Sequence, residues 1–102
     1  YNIIKEKYNT LDVLVNNAAV AFNGTFFMTT TNVTSGGNFI VHTKNIRGQW
    51  SQCAYVAQKG IDPSLFWDDD GTCYFVSNGS AGNDGSGIFL CEIDPFTGEM
   101  HT

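Results

Sequence analysis

The stretch KGIDPSLFWDDDGTCYF, residues 59 to 75, holds the acids whose setting most invites chemistry. Asp62 stands between Gly60-Ile61 and Pro63, at the head of an apolar run, and three further carboxylates, Asp68 to Asp70, crowd before Gly71. A carboxylate in apolar company can tune the proton affinity of a partner group, provided that a partner lies within reach. On the residues alone, Asp62 also fits an Asp-Pro turn whose carboxylate accepts backbone hydrogen bonds. The acidic triplet reads differently. Asp tolerates left-handed backbone and Gly supplies it freely, so Asp-Asp-Gly between two β-rich flanks predicts a tight hairpin turn. A calcium loop needs oxygen ligands at alternate positions and a distal bidentate acid, which three consecutive aspartates do not provide.

Other reactive side chains are weaker candidates. Trp50, Phe66, Trp67 and Tyr74 could offer a stacking face to a ligand, although aromatics at strand spacing more often belong to a core. Trp67, beside the turn, is expected to be the most exposed of them. His42 falls within an apolar strand and His101 near the last residue. Cys53, Cys73 and Cys91 lack C-x-x-C spacing and fall in or beside strands, where a free thiol behaves as a small hydrophobe. No metal site and no cofactor site are expected.

These side chains must be positioned by β structure. From Asn23 onward, short β-prone runs alternate with Gly-, Asn- and Asp-rich connections. Strands are expected at Thr25–Thr31, Asn38–Thr43, Cys53–Gln58, Ser64–Trp67, Cys73–Ser77 and Ile88–Ile93. The spacing predicts an all-β or mostly β meander rather than alternating strands and helices. Residues 1 to 22 differ: Asn2–Tyr8 is helix-like and Leu11–Val15 reads as a buried strand. Asn23-Gly-Thr-Phe-Phe-Met and Asp70-Gly-Thr-Cys-Tyr-Phe echo each other at an offset of about 47 residues, near the period of propeller blades.

Composition narrows the function classes. The chain has 102 residues, ten acids, five bases and a net charge of −5. That balance argues against a nucleic-acid partner, and no run approaches the roughly 20 apolar residues of a membrane span. Nothing in it fixes a compartment.

The stretches NGTFFMTTTNVTSGGNFIVHTKNIRGQWSQ, KGIDPSLFWDDDGTCYFVSNG and GIFLCEIDPFTGEM closely resemble glycoside hydrolase family 43, the β-xylosidases and α-L-arabinofuranosidases built on a five-bladed β-propeller. The resemblance covers residues 23–102. It implies about two propeller-like blades of antiparallel strands, roughly the second and third, preceded by a short helical or irregular N-terminal segment. It places Asp62 at the family's second catalytic carboxylate, which raises the general acid's pKa and orients the substrate. The family's base and general acid belong to other blades, so a catalytically incomplete unit is expected. The sugars implied are pentoses, with Trp67 and Phe66 as candidate substrate-binding rings. Two blades without neighbours leave apolar faces open, and a homo-oligomer formed through those faces is the expected partner.

Within residues 1–22, TLDVLVNNAAVAF resembles the short-chain dehydrogenase/reductase family around its Asn-Asn-Ala-Gly motif, with Ala19 where that family has Gly. No phosphate-binding glycine fingerprint precedes it. The Tyr-x-x-x-Lys spacing of Tyr55 and Lys59 falls too close to the motif and in a β context. A chimera is the favoured reading, with Ala18–Phe22 able to serve as a first strand for the glycosidase-like part. A weak carbohydrate-binding module using Asp62 and Trp67 is the alternative, and a nicotinamide-dependent oxidoreductase ranks last.

Overall fold

The computed structural model describes residues 20–81 and 86–101. The readings made on residues 1–19 lie outside them. The described residues form strands β1 (Val20–Phe22), β2 (Thr25–Asn32), β3 (Gly37–Thr43), β4 (Ala54–Tyr55), β5 (Ile61–Trp67), β6 (Cys73–Ala81) and β7 (Ser86–Glu92), with no helix among them. They build two antiparallel sheets, ordered β1-β2-β3-β4 and β5-β6-β7. The all-β expectation holds. The second sheet has three described strands rather than four, and the chain after β7 adds only a bridge between Ile93 and Met100.

Alternation along the strands decides what each sheet presents. In β2, Phe27, Thr29 and Thr31 lie opposite His42, Ile40 and Asn38 of β3, so they share one face. Side chains two apart on a strand point the same way. That face meets the second sheet. Phe27, Ile40, Ala54 and Val56 pack with Leu65, Cys73, Phe75, Cys91 and Ile93 in one buried cluster. Burying a large aliphatic or aromatic side chain stabilises by about 1.5–3 kcal/mol, and this seam concentrates such residues. The opposite face of the first sheet is also covered. The connection after β3 folds back through Ser51 N–H to the His42 carbonyl at 2.8 Å, and Trp50 settles among Phe39 and Val41, with Phe26, Met28 and Cys53 at the margin.

The outer face of the second sheet has no such cover. Ile88 is 70% exposed, Leu90 59% and Phe66 45%. Register makes them neighbours: Leu90 pairs with Val76 and on to Ser64, while Phe66 pairs with Tyr74, on which its ring stacks at 5.1 Å. The second sheet is therefore apolar on both sides and shielded on one.

Three boundaries depart from expectation. The strand expected over Cys53–Gln58 shrinks to Ala54–Tyr55, because after Val56 bonds the Asn38 carbonyl the chain turns away and Gln58 reaches into the second sheet. The Gly-rich region after Ser77, expected as a loop, continues β6 to Ala81 and starts β7 at Ser86, with a register shift absorbing the irregularity. β5 begins at Ile61, three residues earlier than expected. The acidic turn forms as anticipated: Asp68 N–H donates to the Thr72 carbonyl and Gly71 N–H to that of Asp68, both at 2.9 Å.

The final turn straps the two sheets together. Phe96 reaches from the turn after β7 to Phe27 at 5.2 Å and His42 at 4.9 Å between ring centroids. Gly98 lies against the Tyr55 carbonyl so closely that no side chain would fit. Ile40 is fully buried in the seam, whereas Val33 in the β2–β3 turn is 55% exposed. Ile40→Ala is expected to lower unfolding free energy by about 2–5 kcal/mol, and Val33→Ala to change it by less than about 0.5 kcal/mol, in urea titrations followed by tryptophan fluorescence.

Candidate functional site

Asp62 enters β5 through a bulge. Ile61 pairs with Asn78 and Ser64 with Val76, so the β5 side carries one residue more than β6 across that interval. Pro63 sits inside it, fully buried, at a point where a ladder donor is not required. The extra residue is accommodated by unusual backbone: Gly60 has φ +101° and Asp62 φ +52°. A non-glycine residue in the left-handed region is uncommon, and Asp is among the few that enter it. Strain of this kind collects at functional positions. The side chain of Asp62 is exposed, and among the described residues none hydrogen-bonds or ion-pairs with its carboxylate. The hydrogen-bonded Asp-Pro turn is therefore not what forms.

The residues proposed to act with Asp62 are distributed unevenly around it. Phe66 lies with Ser64 on the exposed side of β5, beyond the bulge that holds Asp62, and its ring stacks on Tyr74 within the sheet's outer face. Trp67 does not accompany Asp62. Five residues at about 3.3 Å each put it roughly 16 Å away along the strand, at the turn end. It is half-buried rather than the most exposed ring, stacked on Phe22 at 4.8 Å with an interplanar angle of 5°, and tilted against Phe27 at 5.2 Å. Phe66 is the exposed aromatic of the pair. The reason is register: Pro63, Leu65 and Trp67 alternate onto the seam side, and Ser64 and Phe66 onto the other.

Neither Glu92 nor the acidic triplet stands at catalytic spacing from Asp62. Glu92 aligns, through Tyr74, with Phe66. It stands roughly 13 Å from Asp62 along the strand direction before the lateral separation of two strands is added. Paired carboxylates in glycoside hydrolysis stand about 5–9.5 Å apart, depending on stereochemistry. Asp68 to Asp70 are farther still, beyond Trp67. Glu92 instead has the imidazole Nδ1 of His101 at 4.0 Å.

At the turn end, a cleft of about 400 Å³ lies between the sheets, lined by Phe22, Phe27, Trp67, Phe96, Glu92 and His101. It sits opposite Asp62, and no reading of the residues anticipated it, because its walls come from both sheets and the last turn. The thiols beside it are unreactive by environment. Burial, reinforced by Asp94 and Cys91, pushes the Cys73 thiol up to about 12, and burial also raises that of Cys91. No group of three potential metal ligands occurs among the described residues.

This bulged, carboxylate-bearing strand can be placed among known proteins. The model of glycosyl hydrolases family 43 matches residues 17–101. The chain belongs to that family. The match starts before Asn23 and takes in strand β1. A xylosidase/arabinosidase of Butyrivibrio fibrisolvens is 60% identical over 57 residues, covering 53% of this chain and 11% of that protein. Xylosidase/arabinosidase 43B of Humicola insolens is 40% identical over 67 residues, covering 62% and 12%. The crystal structure of a xylan β-1,4-xylosidase from Bacillus halodurans superposes with a TM-score of 0.74 at 30% identity, over 90% of this chain and 20% of that one. The two sheets thus resemble family 43 propeller blades. The chain spans about a ninth of the length of these two curated relatives and a fifth of that solved structure.

Two outcomes follow from the backbone and the thiols. Asp62→Gly should leave stability unchanged or raise it by up to about 1 kcal/mol, while Asp62→Val should lower it by roughly 1–2 kcal/mol, read from urea midpoints. The Cys73 thiol, raised from its ordinary 9.0, favours the folded state at neutral pH. Its contribution is fully present below pH 9 and fades as pH rises towards 12. At pH 8, iodoacetamide should label half-buried Cys53 before Cys73 and Cys91, which should react only on unfolding; mass spectrometry of tryptic peptides reads the order.

Proposed function

We propose that this chain is a two-blade unit of a xylosidase/arabinosidase-type glycosidase, in which Asp62 is the carboxylate that raises the pKa of a general acid and orients a pentose substrate. The observation that carries this is the left-handed, bulged conformation that lifts Asp62 out of the sheet within the Gly-Ile-Asp-Pro-Ser-Leu-Phe motif. Hydrolysis with inversion needs a base to activate water and an acid to protonate the departing oxygen. Asp62 performs neither step. It acts through its charge, which favours the protonated form of a neighbouring acid. By itself the unit is catalytically incomplete and mainly structural, and a separate, dehydrogenase-like origin is confined to the residues before 17, where the family match begins.

Aryl xylosides and arabinofuranosides should be turned over no faster by the chain than by Asp62→Ala, because losing one member of a catalytic set removes most of the rate. Turnover that disappears in Asp62→Ala would overturn the incomplete-unit reading. Titration with xylose, followed by amide NMR shifts, distinguishes the alternatives. Changes confined to Ile61–Ser64 support the carboxylate site, whereas changes around Trp67 favour a binding module. Dinucleotide binding would favour the oxidoreductase.

We also propose that the unit self-associates through the outer face of the second sheet. Exposed Ile88, Leu90, Phe66 and Ile61 form the one broad apolar surface among the described residues, since Trp50 covers the corresponding face of the first sheet. Surfaces of this kind, beyond a few hundred Å², mark interfaces. A two-fold pairing of that face with its copy is self-complementary. The net charge of −5 opposes it but is screened beyond about 8 Å at physiological salt. Sedimentation at micromolar concentration should give a dimer, and Leu90→Lys a monomer. A compact wild-type monomer would refute the proposal.

A further inference from the structure

Asp62 is held in place from a distance. Four residues before it, Gln58 turns its side chain into the junction of the two sheets. Its amide Nε2 lies 2.9 Å from Ser77 Oγ, 3.2 Å from the Phe89 carbonyl and 3.4 Å from the Phe75 carbonyl. Two N–H protons are shared among three acceptors on β6 and β7. Its backbone carbonyl accepts from Asn38 Nδ2 at 3.0 Å, and Asn38 Oδ1 in turn accepts from the Thr31 hydroxyl at 2.6 Å. Gln58 therefore ties the first sheet to both later strands of the second.

The link to Asp62 runs through Ser77. Having accepted from Gln58, the Ser77 hydroxyl donates to the Lys59 carbonyl at 2.6 Å. That bond fixes the peptide entering Gly60. At Gly60 the backbone presses on β6: a Cβ there would stand 2.7 Å from the Asn78 carbonyl oxygen, and one on Gly79 would stand 3.1 Å from the Gly60 Cα. Ile61 is then paired with Asn78. With Lys59, Gly60 and Ile61 all clamped to β6 and Pro63 buried behind, little torsional freedom is left to the intervening residue.

We propose that Gln58 is the positioning residue that sets the direction of the Asp62 carboxylate. The proposal rests on the reading of Asp62 as the functional carboxylate, and it adds a requirement for an amide at position 58. Two backbone carbonyls, and a hydroxyl whose proton is committed to Lys59, accept only donors. A carboxylate in that place would meet them with lone pairs, and an aliphatic side chain would leave buried acceptors without partners. A glutamine that merely filled the junction would give the same contacts but would not control the geometry four residues on.

The test is made on the chain labelled with carbon-13 and nitrogen-15. The readouts are the Asp62 Cα and Cβ shifts and its amide-to-Hα coupling, which report its left-handed backbone. Gln58→Leu should abolish the left-handed signature of Asp62 and leave the backbone shifts of Asp68 and Asp70 unaffected. Ser77→Ala, which cuts only the last bond of the relay, should give a smaller change of the same kind. Ile40→Val, a seam variant remote from the relay, should leave Asp62 unchanged, separating positioning from loss of stability. If Gln58→Leu does not fold, Gln58→Asn and Ser77→Ala decide. Unchanged Asp62 shifts and coupling in the folded variants would overturn the proposal. Because these readouts concern geometry and not sugar, its failure is distinguishable from failure of the functional reading, which the xylose titration tests on the unaltered chain.

Discussion

Phe27 and Ile40 from one sheet, facing Leu65 and Phe75 from the other, make the contact on which every other feature rests. A single sheet of three or four strands has one face too many to hide, and the two sheets solve that for each other. Stability here comes from a dry seam, not from charge. The described ion pair is a His–Glu contact at 4.0 Å between half-exposed side chains, and surface pairs of this kind contribute little. With its seam thiols held neutral by burial, the interior carries no charge that the sheets must neutralise.

That seam makes the two ends of β5 unlike. At the turn end, alternation delivers Trp67 into an aromatic stack with Phe22 and Phe27, and the strand is fixed by packing. At the other end, packing gives way to hydrogen bonds: Gln58, Ser77 and Asn38 hold the chain where a proline and an extra residue break the ladder. Packing tolerates modest changes of shape, whereas hydrogen bonds fix angles. A group whose orientation matters is better served by the second kind of support. Asp62 sits at the end that has it.

The sequence made the strands legible because β-branched and aromatic residues run together between Gly-, Asn- and Asp-rich turns, as in Thr25–Asn32 and Cys73–Ser77. It singled out Asp62 because the motif around that residue is so specific. Two things escaped. Proline at position 63 argues against an early start to β5, and only a bulge reconciles the two, a feature set by β6 and invisible locally. Trp67 was read from its place beside a turn, yet its exposure is decided by which face the register assigns it. The Gln58 relay was equally hidden, since a lone polar residue after a strand looks like a loop residue until its partners, 17 to 31 positions away, are brought to it.

Phe96 and Gly98 close against Phe27, His42 and Tyr55, which belong to the first sheet. As the chain leaves the ribosome, the first sheet therefore emerges complete in strands but lacking its last cover, which comes from residues synthesised some forty positions after β4. At about 5–20 residues per second, that interval lasts several seconds. For the first part of it the seam side of the first sheet waits for Leu65 and Phe75, and the edge of Phe27 stays uncovered until Phe96 has been made. The strap after β7 thus keeps the pairing of the two described sheets provisional until Phe96 and Gly98 have been added.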